Sequence, residues 1–87
     1  MKKSSSWCVY ILKCGGGRLY TGMTNDLEQR VRAHRAGRGC RFTRAFGVKA
    51  LVYTEECSDR SGALRREAVI KRLPREKKLS LVKGKHR

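Results

Sequence analysis

Residues 7–23 read WCVYILKCGGGRLYTGM, and this stretch decides how the fold begins. Its first eight residues are β-branched, aromatic and aliphatic, which is typical of a strand, and residues 18–23 have a similar character. Three consecutive glycines, Gly15 to Gly17, separate these two segments and favour a tight reversal of the chain. The stretch therefore predicts a β-hairpin.

A first helix is predicted directly after the hairpin. Asn25 and Glu28 have the spacing of a capping box, in which each side chain bonds the backbone N–H of the other residue. Helical propensity continues over residues 26–36 and ends at Gly37. A Gly- and Arg-rich connection over residues 37–47 follows this helix.

The second half of the chain predicts one more strand and two more helices. Residues 48–57 have strand composition, and Ser58 or Asp59 can cap the helix that follows. Pro74 lacks the N–H that a helix interior needs, so it ends this helix and begins another that reaches about Val82. The predicted order is β-β-α-β-α-α, an α+β fold in which helices flank a small three-stranded antiparallel sheet.

The length of the chain allows one domain. Hydrophobic residues make up 39% of its 87 residues, which is enough for a small core. We expect a disordered leader at residues 1–6, one domain at residues 7–83 and a basic tail at residues 84–87. The longest apolar run, residues 9–12, is far shorter than the roughly 18 residues of a membrane-spanning helix. The sequence therefore predicts a cytoplasmic protein that does not bind membranes.

The four cysteines are not spaced as a metal site. Cys8, Cys14, Cys40 and Cys57 include no pair separated by two or four residues, the close spacing that structural zinc sites usually use. In a reducing cytoplasm we expect free thiols and no zinc.

The charge of the chain is strongly one-sided. Lys and Arg number 22 against 7 Asp and Glu, which gives a net charge of +15. A domain this basic usually meets a polyanion, because cations near phosphates release condensed counterions. No carboxylate lies between Glu28 and Glu55, and Arg38, Arg41 and Arg44 of this stretch are predicted to bind nucleic acid. DNA is the expected partner and RNA is a second one; a solvated basic face without a partner is the alternative.

The first predicted helix carries two site candidates. Leu27, Arg30, Val31 and His34 fall within one arc of the helix, so Arg30 and His34 border the face that packs on the sheet. An arginine at such a boundary can extend its apolar stem and keep its charge in water. A histidine there can be an interior hydrogen-bonding group or a proton carrier.

Glu67 is the unusual residue of the next helix. Ala63, Leu64 and Ile70 surround it with apolar side chains, and a carboxylate in such a position needs a partner. Two partners fit the sequence: Lys71 one turn later, or a hard divalent cation such as Mg²⁺. The residues alone favour the Lys71 ion pair and the metal about equally.

The hairpin contributes two hydroxyl groups. Tyr10 lies on its first strand and Tyr20 on its second strand, and either residue alone is also a candidate for the core. Gly22 follows closely after Tyr20, and a glycine within a strand often marks the close approach of another group. This end of the hairpin is therefore a candidate site.

Together these residues resemble the GIY-YIG nuclease domain in order and spacing, over residues 7 to about 82. Cys8-Val9-Tyr10 stands where that family has Gly-Ile-Tyr, and Tyr20-Thr21-Gly22 stands where it has Tyr-Ile-Gly. The later matches are Arg30, His34 and Glu67. The chain is most similar to small stand-alone members of the family, although Met23 stands where some members have a lysine.

The resemblance implies a metal-dependent endonuclease that hydrolyses phosphodiester bonds in DNA, in repair or in the processing of structured DNA. It implies Tyr10, Tyr20, Arg30 and His34 as catalytic residues and Glu67 as the ligand of Mg²⁺ or Mn²⁺. On this hypothesis Arg30 and the metal stabilise charge on the phosphate, and Tyr20 takes a proton from the attacking water. His34 either assists Tyr20 or protonates the leaving group. Two alternatives are a non-catalytic nucleic-acid-binding module with the same fold and a basic ribosome-associated protein.

Overall fold

The predicted hairpin forms in the computed structural model, which describes residues 6–84. Strand β1 (Trp7–Cys14) and strand β2 (Leu19–Thr24) are joined by a single 3-10 turn at Gly15–Gly17. Gly16 and Gly17 have φ angles of 73° and 76°, a region that glycine enters without the steric cost that other residues meet. The run of glycines is therefore what allows the chain to reverse so tightly.

The predicted fold class, an α+β fold with a three-stranded antiparallel sheet, is confirmed, and the described residues contain four α-helices. The elements after the hairpin are α1 (Leu27–Arg35), α2 (Arg41–Phe46), β3 (Val48–Cys57), α3 (Arg60–Arg72) and α4 (Arg75–Gly84). Helix α2 is not predicted by the sequence, which indicates only an irregular connection there. Its two phenylalanines, Phe42 and Phe46, lie one turn apart and their rings are in contact, so packing overrides the weak helical propensity.

The helix caps agree with the sequence in one case and differ in the other. Asp59 caps α3 as predicted, and its carboxylate accepts a hydrogen bond from the backbone N–H of Gly62. Helix α1 is capped by Asp26, whose carboxylate accepts from the N–H of Gln29, so the predicted cap at Asn25 is wrong by one residue. The backbone N–H of Asp26 donates to the Thr24 hydroxyl, and this bond sets the direction in which the chain enters α1.

The ends of the domain differ slightly from the prediction. Pro74 separates α3 from α4 as expected, and α4 continues to Gly84 rather than ending near Val82. Residues 1–5 of the predicted leader and residues 85–87 of the predicted tail lie outside the described residues. Within residues 6–84, no helix is both long and apolar enough to cross a membrane. The cysteines carry free thiols.

Strand β1 is the centre of the sheet, whose order is β2-β1-β3 with antiparallel pairing throughout. Its side chains alternate between two buried layers. Val9 and Ile11 pack with Ala63 and Ile70 of α3, whereas the opposite face packs against α1 and α2. That opposite face presents Tyr10, Leu12 and Cys14. Because both faces of β1 are covered, the strand is almost continuously apolar, which explains the sequence pattern of its first eight residues.

Candidate active site

Tyr10 and Tyr20 lie on the same face of the sheet, because the antiparallel register pairs Tyr10 with Gly22 and Leu12 with Tyr20. The centroids of the two tyrosine rings are 6.4 Å apart. The close approach indicated by Gly22 is made by Tyr10 itself. A β-carbon added at Gly22 would lie only 2.5 Å from the Tyr10 hydroxyl oxygen and 2.6 Å from the ring carbon that carries it. The glycine therefore makes room for the phenol.

A chain of three buried side chains starts at the Tyr10 hydroxyl. A hydrogen bond of 2.8 Å joins Tyr10 Oη to Nε2 of His34, and another of 2.8 Å joins His34 Nδ1 to Oγ1 of Thr43. Each of these residues exposes only 1% of its surface. These hydrogen bonds connect β1, α1 and α2, and Thr43 belongs to α2, the helix that the sequence does not predict.

Arg30 lies one turn before His34 and is half-buried. Its Nη2 donates a hydrogen bond of 3.3 Å to the carbonyl oxygen of Gly39. Gly39 packs directly on the His34 ring, and a side chain at this position would collide with His34 Nδ1. Arg30 also acts on Tyr10, since a hydrogen bond and the positive charge from the guanidinium both lower the pKa of the phenol. Arg30 is thus held by groups that border the His34 ring.

The ionisation of these groups is dominated by burial. Burial raises the pKa of Tyr10 above its usual value, although Arg30 opposes the shift. Burial, followed by a hydrogen bond to Cys40, raises the pKa of Tyr20 strongly. Burial and the nearby charge of Arg30 lower the pKa of His34. At neutral pH both tyrosines are therefore phenols and His34 is a neutral imidazole.

Cys40, which sequence reasoning did not select, borders the same site. Burial alone would raise the pKa of its thiol, but hydrogen bonds from the backbone N–H and the hydroxyl of Thr43, then from the hydroxyl of Tyr20, lower it. The Cys40 sulfur lies 3.5 Å from Thr43 Oγ1. Neither Cys40 nor Thr43 has a signal in the sequence, since their partners come from other elements. The helical spacing of Phe42 and Phe46 was the one available sign that this segment is ordered.

Glu67 makes an ion pair with Lys71, which is one of the two partners that the sequence allows for it. The distance from Lys71 Nζ to Glu67 Oε2 is 3.5 Å, and the Glu67 side chain is 18% exposed. Its negative charge acts on Tyr10, where it adds to the effect of burial on the phenol's pKa. Among the described residues, no group of three or more His, Cys, Asp or Glu is arranged to hold a metal ion. A partly exposed single carboxylate does fit Mg²⁺, which commonly uses one or two carboxylates and completes its shell with water and phosphate.

The three arginines predicted to bind nucleic acid are all exposed and lie on or next to α2. Arg41 and Arg44 are three residues apart on this helix, so they share a face, and Arg38 lies in the turn before it. The stem of Arg44 passes close to Gly37. No ion pair neutralises these three side chains within residues 6–84. Helix α2 therefore carries a basic surface, formed by Arg38, Arg41 and Arg44, beside the buried site.

The structure brings Tyr10, Tyr20, Arg30 and His34 together, and Glu67 lies on α3, from which its charge acts on Tyr10. Tyr20 and His34 contact each other through their rings, with centroids 5.2 Å apart. Arg30 acts on both tyrosines and on His34, whereas Glu67 reaches the group from α3 through its charge on Tyr10. The site therefore combines a cation, a carboxylate and two phenols beside a basic surface, an arrangement suited to a phosphate group.

Comparisons with known proteins agree with this arrangement. The family model described as the GIY-YIG catalytic domain matches residues 6–80. A UPF0213 protein of Clostridium perfringens is 48% identical over 77 residues, which cover 88% of this chain and 83% of that protein. A UPF0213 protein of Xanthomonas axonopodis pv. citri is 42% identical over 93% of this chain and 79% of its own length. The solution NMR structure of a UPF0213 protein from Bacillus halodurans superimposes with a TM-score of 0.60 at 40% identity, covering 92% of this chain and 85% of that one.

Proposed function

Because this chain belongs to the GIY-YIG catalytic domain family, we propose that it is a metal-dependent endonuclease that hydrolyses phosphodiester bonds in DNA. One observation carries the proposal: Arg30 and Tyr20 lie next to the buried phenol of Tyr10, Glu67 acts on that phenol through its charge, and each of the three is partly accessible. A fixed cation, a hydroxyl and a carboxylate are the groups that an enzyme needs to bind a phosphodiester and to stabilise the charge that develops on it.

Burial divides the predicted catalytic residues into two groups. Arg30, Tyr20 and Glu67 retain exposed surface and are able to touch a substrate. Tyr10 and His34 are almost completely buried and bond to each other, so their proposed role is to hold the accessible residues in place. The neutral state of His34 also argues against the idea that it protonates the leaving group, since a neutral imidazole is a poor acid.

Arg30 is the residue proposed to bind the scissile phosphate. Its guanidinium has several N–H donors, of which one is used on the carbonyl of Gly39. The remaining donors can form two parallel hydrogen bonds to phosphate oxygens. Positive charge fixed at this point stabilises the additional negative charge of the transition state.

Glu67 is the residue proposed to hold Mg²⁺ or Mn²⁺. When bound, such an ion would place further positive charge on the phosphate and lower the pKa of a coordinated water. The ion pair from Lys71 reaches Oε2 of Glu67, and Lys71 is half-exposed and flexible enough to move away. Pairs of this spacing on a helix contribute only about 0.3–0.5 kcal/mol, and the Lys71 end of this one is open to solvent, so a divalent ion can displace it.

Tyr20 is proposed to act as a hydrogen-bond donor. The sequence-based hypothesis gives it the role of proton acceptor, which requires a lowered pKa, whereas burial and the bond to Cys40 raise that pKa. A phenol that keeps its proton can turn it from Cys40 to the attacking water or to a non-bridging oxygen. The ring of Tyr20 contacts His34 and Phe42, with centroid distances of 5.2 Å and 5.7 Å, so its position is well defined.

The substrate is proposed to be DNA bound along the basic surface of Arg38, Arg41 and Arg44. Exposed arginines without ion pairs bind phosphates of either nucleic acid, because phosphate contacts do not distinguish the sugars. The repair or processing of structured DNA is the setting we expect. A flap substrate and matched RNA in the same assay therefore test both expectations.

The test is a cleavage assay with end-labelled single-stranded, duplex and flap DNA and with matched RNA. Each substrate is incubated with the full chain in Mg²⁺, Mn²⁺ or EDTA. We expect cleavage that requires a divalent ion and that is lost in Arg30→Ala and Glu67→Ala, whereas DNA binding persists. Equal cleavage in EDTA, or full activity of Glu67→Ala, would contradict the proposal.

Lys71→Ala separates the two roles of Glu67. If Glu67 binds a metal, removal of its ion-pair partner leaves cleavage intact and lowers the concentration of Mg²⁺ needed for half-maximal activity. If Glu67 serves only the ion pair, Lys71→Ala reproduces the defect of Glu67→Ala. Glu76→Ala removes an exposed carboxylate from α4, so it is the matched control for the charge that Glu67→Ala removes.

The second candidate function is a nucleic-acid-binding module that does not cut. The ion pair between Glu67 and Lys71 favours it, because this pair already gives the carboxylate a structural partner. On this alternative no substrate is cleaved in any metal, and Glu67→Ala binds DNA or RNA with the same salt dependence as the unmodified chain.

A further inference from the structure

The three buried side chains Tyr10, His34 and Thr43 form a hydrogen-bonded chain whose proton positions follow from its two ends. A neutral imidazole has one donor and one acceptor nitrogen. At one end, the positive charge of Arg30 acts on the phenol oxygen of Tyr10, which favours a Tyr10 O–H directed away from the guanidinium and toward Nε2 of His34, 2.8 Å away. His34 Nε2 is therefore the acceptor, and the ring proton belongs on Nδ1.

Thr43 completes this arrangement at the other end. His34 Nδ1–H donates to Oγ1 of Thr43 at 2.8 Å, and the Thr43 hydroxyl in turn donates to Cys40, whose carbonyl oxygen lies 3.4 Å away and whose sulfur lies 3.5 Å away. Every donor in the chain then has one acceptor, which is what complete burial demands. The opposite tautomer would place the ring proton and the phenol proton on the same hydrogen bond to Tyr10.

The series of hydrogen bonds from Thr43 through His34 to Tyr10 leads to Arg30, the residue proposed to bind phosphate. Arg30 is held by its hydrogen bond to the Gly39 carbonyl, and its charge acts on the phenol of Tyr10. Both groups touch the His34 ring: Tyr10 bonds its Nε2, and the α-carbon of Gly39 packs against its Nδ1 side. The position of the imidazole therefore determines where the guanidinium lies.

We propose that Thr43 is a positioning residue of the nuclease site: its hydroxyl fixes His34 as the Nδ1–H tautomer and thereby holds Tyr10 and Arg30 in the geometry that binds the scissile phosphate. This inference rests on the proposed function. Thr43 touches no substrate, because it is almost completely buried. Thr43 affects the reaction indirectly, through its hydrogen bond to His34, the hydrogen bond between His34 and Tyr10, and the guanidinium of Arg30.

Within residues 6–84, the His34 ring has two hydrogen-bonding partners, Tyr10 at Nε2 and Thr43 at Nδ1. Tyr20 of β2 packs on the ring in a tilted arrangement without a hydrogen bond to it among those of the described residues, and its hydroxyl faces Cys40. Arg30 of α1 contributes positive charge, and Glu67 of α3 acts on Tyr10. Among the hydrogen bonds of the described residues, the one to Nδ1 comes from the Thr43 hydroxyl.

The first test compares Thr43→Val with Thr43→Ser in the cleavage assay. Valine has nearly the shape of threonine and lacks the hydroxyl, whereas serine keeps it. We expect Thr43→Val to lower kcat about tenfold, the equivalent of one modest hydrogen bond, and to change KM for DNA less than about twofold. Thr43→Ser should retain kcat within about twofold. Thr21→Val is the control for the loss of a buried threonine hydroxyl, since Thr21 lies on the other face of the sheet.

The second test does not depend on activity. Two-bond ¹H–¹⁵N spectra of the ¹⁵N-labelled chain report which imidazole nitrogen carries the proton, and His34→Gln assigns the signal. We expect the Nδ1–H form in the unmodified chain and in Thr43→Ser, and a mixture or the other tautomer in Thr43→Val. An Nε2–H imidazole in the unmodified chain, or equal kcat in Thr43→Val, would overturn the inference. Absence of cleavage by the unmodified chain counts against the proposed function, while the spectra still decide the role of Thr43.

Discussion

The phenol of Tyr10 occupies the space in which a side chain of Gly22 would lie. The two residues face each other across β1 and β2, and each belongs to a different one of the two triplets that carry the family resemblance. The two triplets are therefore complementary: Gly22 of the second leaves the space that the Tyr10 ring of the first occupies.

Gly22→Ala tests this complementarity. The added methyl group would lie 2.5 Å from the Tyr10 oxygen, so the ring must move and strain the buried bond to His34. We expect the free energy of unfolding to fall by about 1–3 kcal/mol and cleavage to fall with it. Denaturant unfolding measures the first effect. Gly84→Ala is the control, because nothing lies within 4 Å of its added β-carbon, and equal stability of the two variants would refute the expectation.

Thr21→Val is expected to stabilise the protein. Thr21 is buried on the α3 face of the sheet, and its hydroxyl is the buried side-chain group of residues 6–84 that has no hydrogen-bond partner. Valine keeps the shape and removes the unsatisfied oxygen, so the free energy of unfolding should rise by about 1 kcal/mol. Thr24→Val makes the same change where the hydroxyl accepts from Asp26 N–H, and it should lower stability instead. A loss of stability in Thr21→Val would mean that its hydroxyl has a partner in solution.

Stability is expected to fall in mildly acidic solution because of His34. Burial lowers the pKa of this imidazole in the folded state. Below about pH 6.5 the imidazole is therefore more protonated in the unfolded chain than in the folded chain. The stability is complete above the ordinary histidine pKa and is lost as the pH falls through it. Unfolding free energies measured between about pH 5.5 and 7.5 should decline toward acid. His34→Gln should flatten this slope; an unchanged slope in that variant would assign the decline to another group.

The pH profile of cleavage distinguishes the two roles considered for Tyr20. Because the pKa of Tyr20 is raised, we expect Tyr20→Phe to lower kcat by about a hundredfold without changing the shape of the profile. If Tyr20 were the proton acceptor, the rate of the unmodified chain would rise tenfold per pH unit far into the alkaline range, and this rise would vanish in Tyr20→Phe. Single-turnover rates across pH decide the matter.

The basic surface on α2 predicts the salt dependence of binding. Arg41→Ala and Arg44→Ala should each reduce the slope of log affinity against log salt by about one, if each arginine neutralises one phosphate. Fluorescence anisotropy with labelled DNA at several salt concentrations measures the slope. Arg32→Ala removes the same charge from an exposed arginine that pairs with Glu28, and it should leave the slope nearly unchanged. Equal slopes in all four proteins would exclude this surface from the interface.

The sequence predicts those elements whose signals are local. Strand composition, three consecutive glycines, the Asp59 cap and Pro74 are each readable within a few residues, and the structure has the corresponding hairpin and helix ends. Helix α2 is different, because its stability comes from Phe42 packing against the face of the sheet that Tyr10 occupies. Asn25 and Asp26 are both good caps, and the choice between them depends on the bond from Asp26 N–H to Thr24.

The same limit applies to the site. A helical arc places Arg30 and His34 toward the sheet, and the structure confirms that position. The partners of His34 come from β1 and α2, so the bonds to Tyr10 and Thr43 depend on how three elements meet. No spacing within one element encodes such a contact, so the sequence alone does not indicate a role for Thr43.

The central position of β1 also has a kinetic consequence. Its pairing with β2 needs only the short glycine turn, whereas its pairing with β3 must wait until residues 15–47 have closed a much longer loop. Hairpins of this kind form within about 1–10 μs, and pairings distant in sequence form later. Tyr10 and Tyr20 are thus brought together at the start of folding, and the site gains its remaining members only as the chain completes its last long-range contacts.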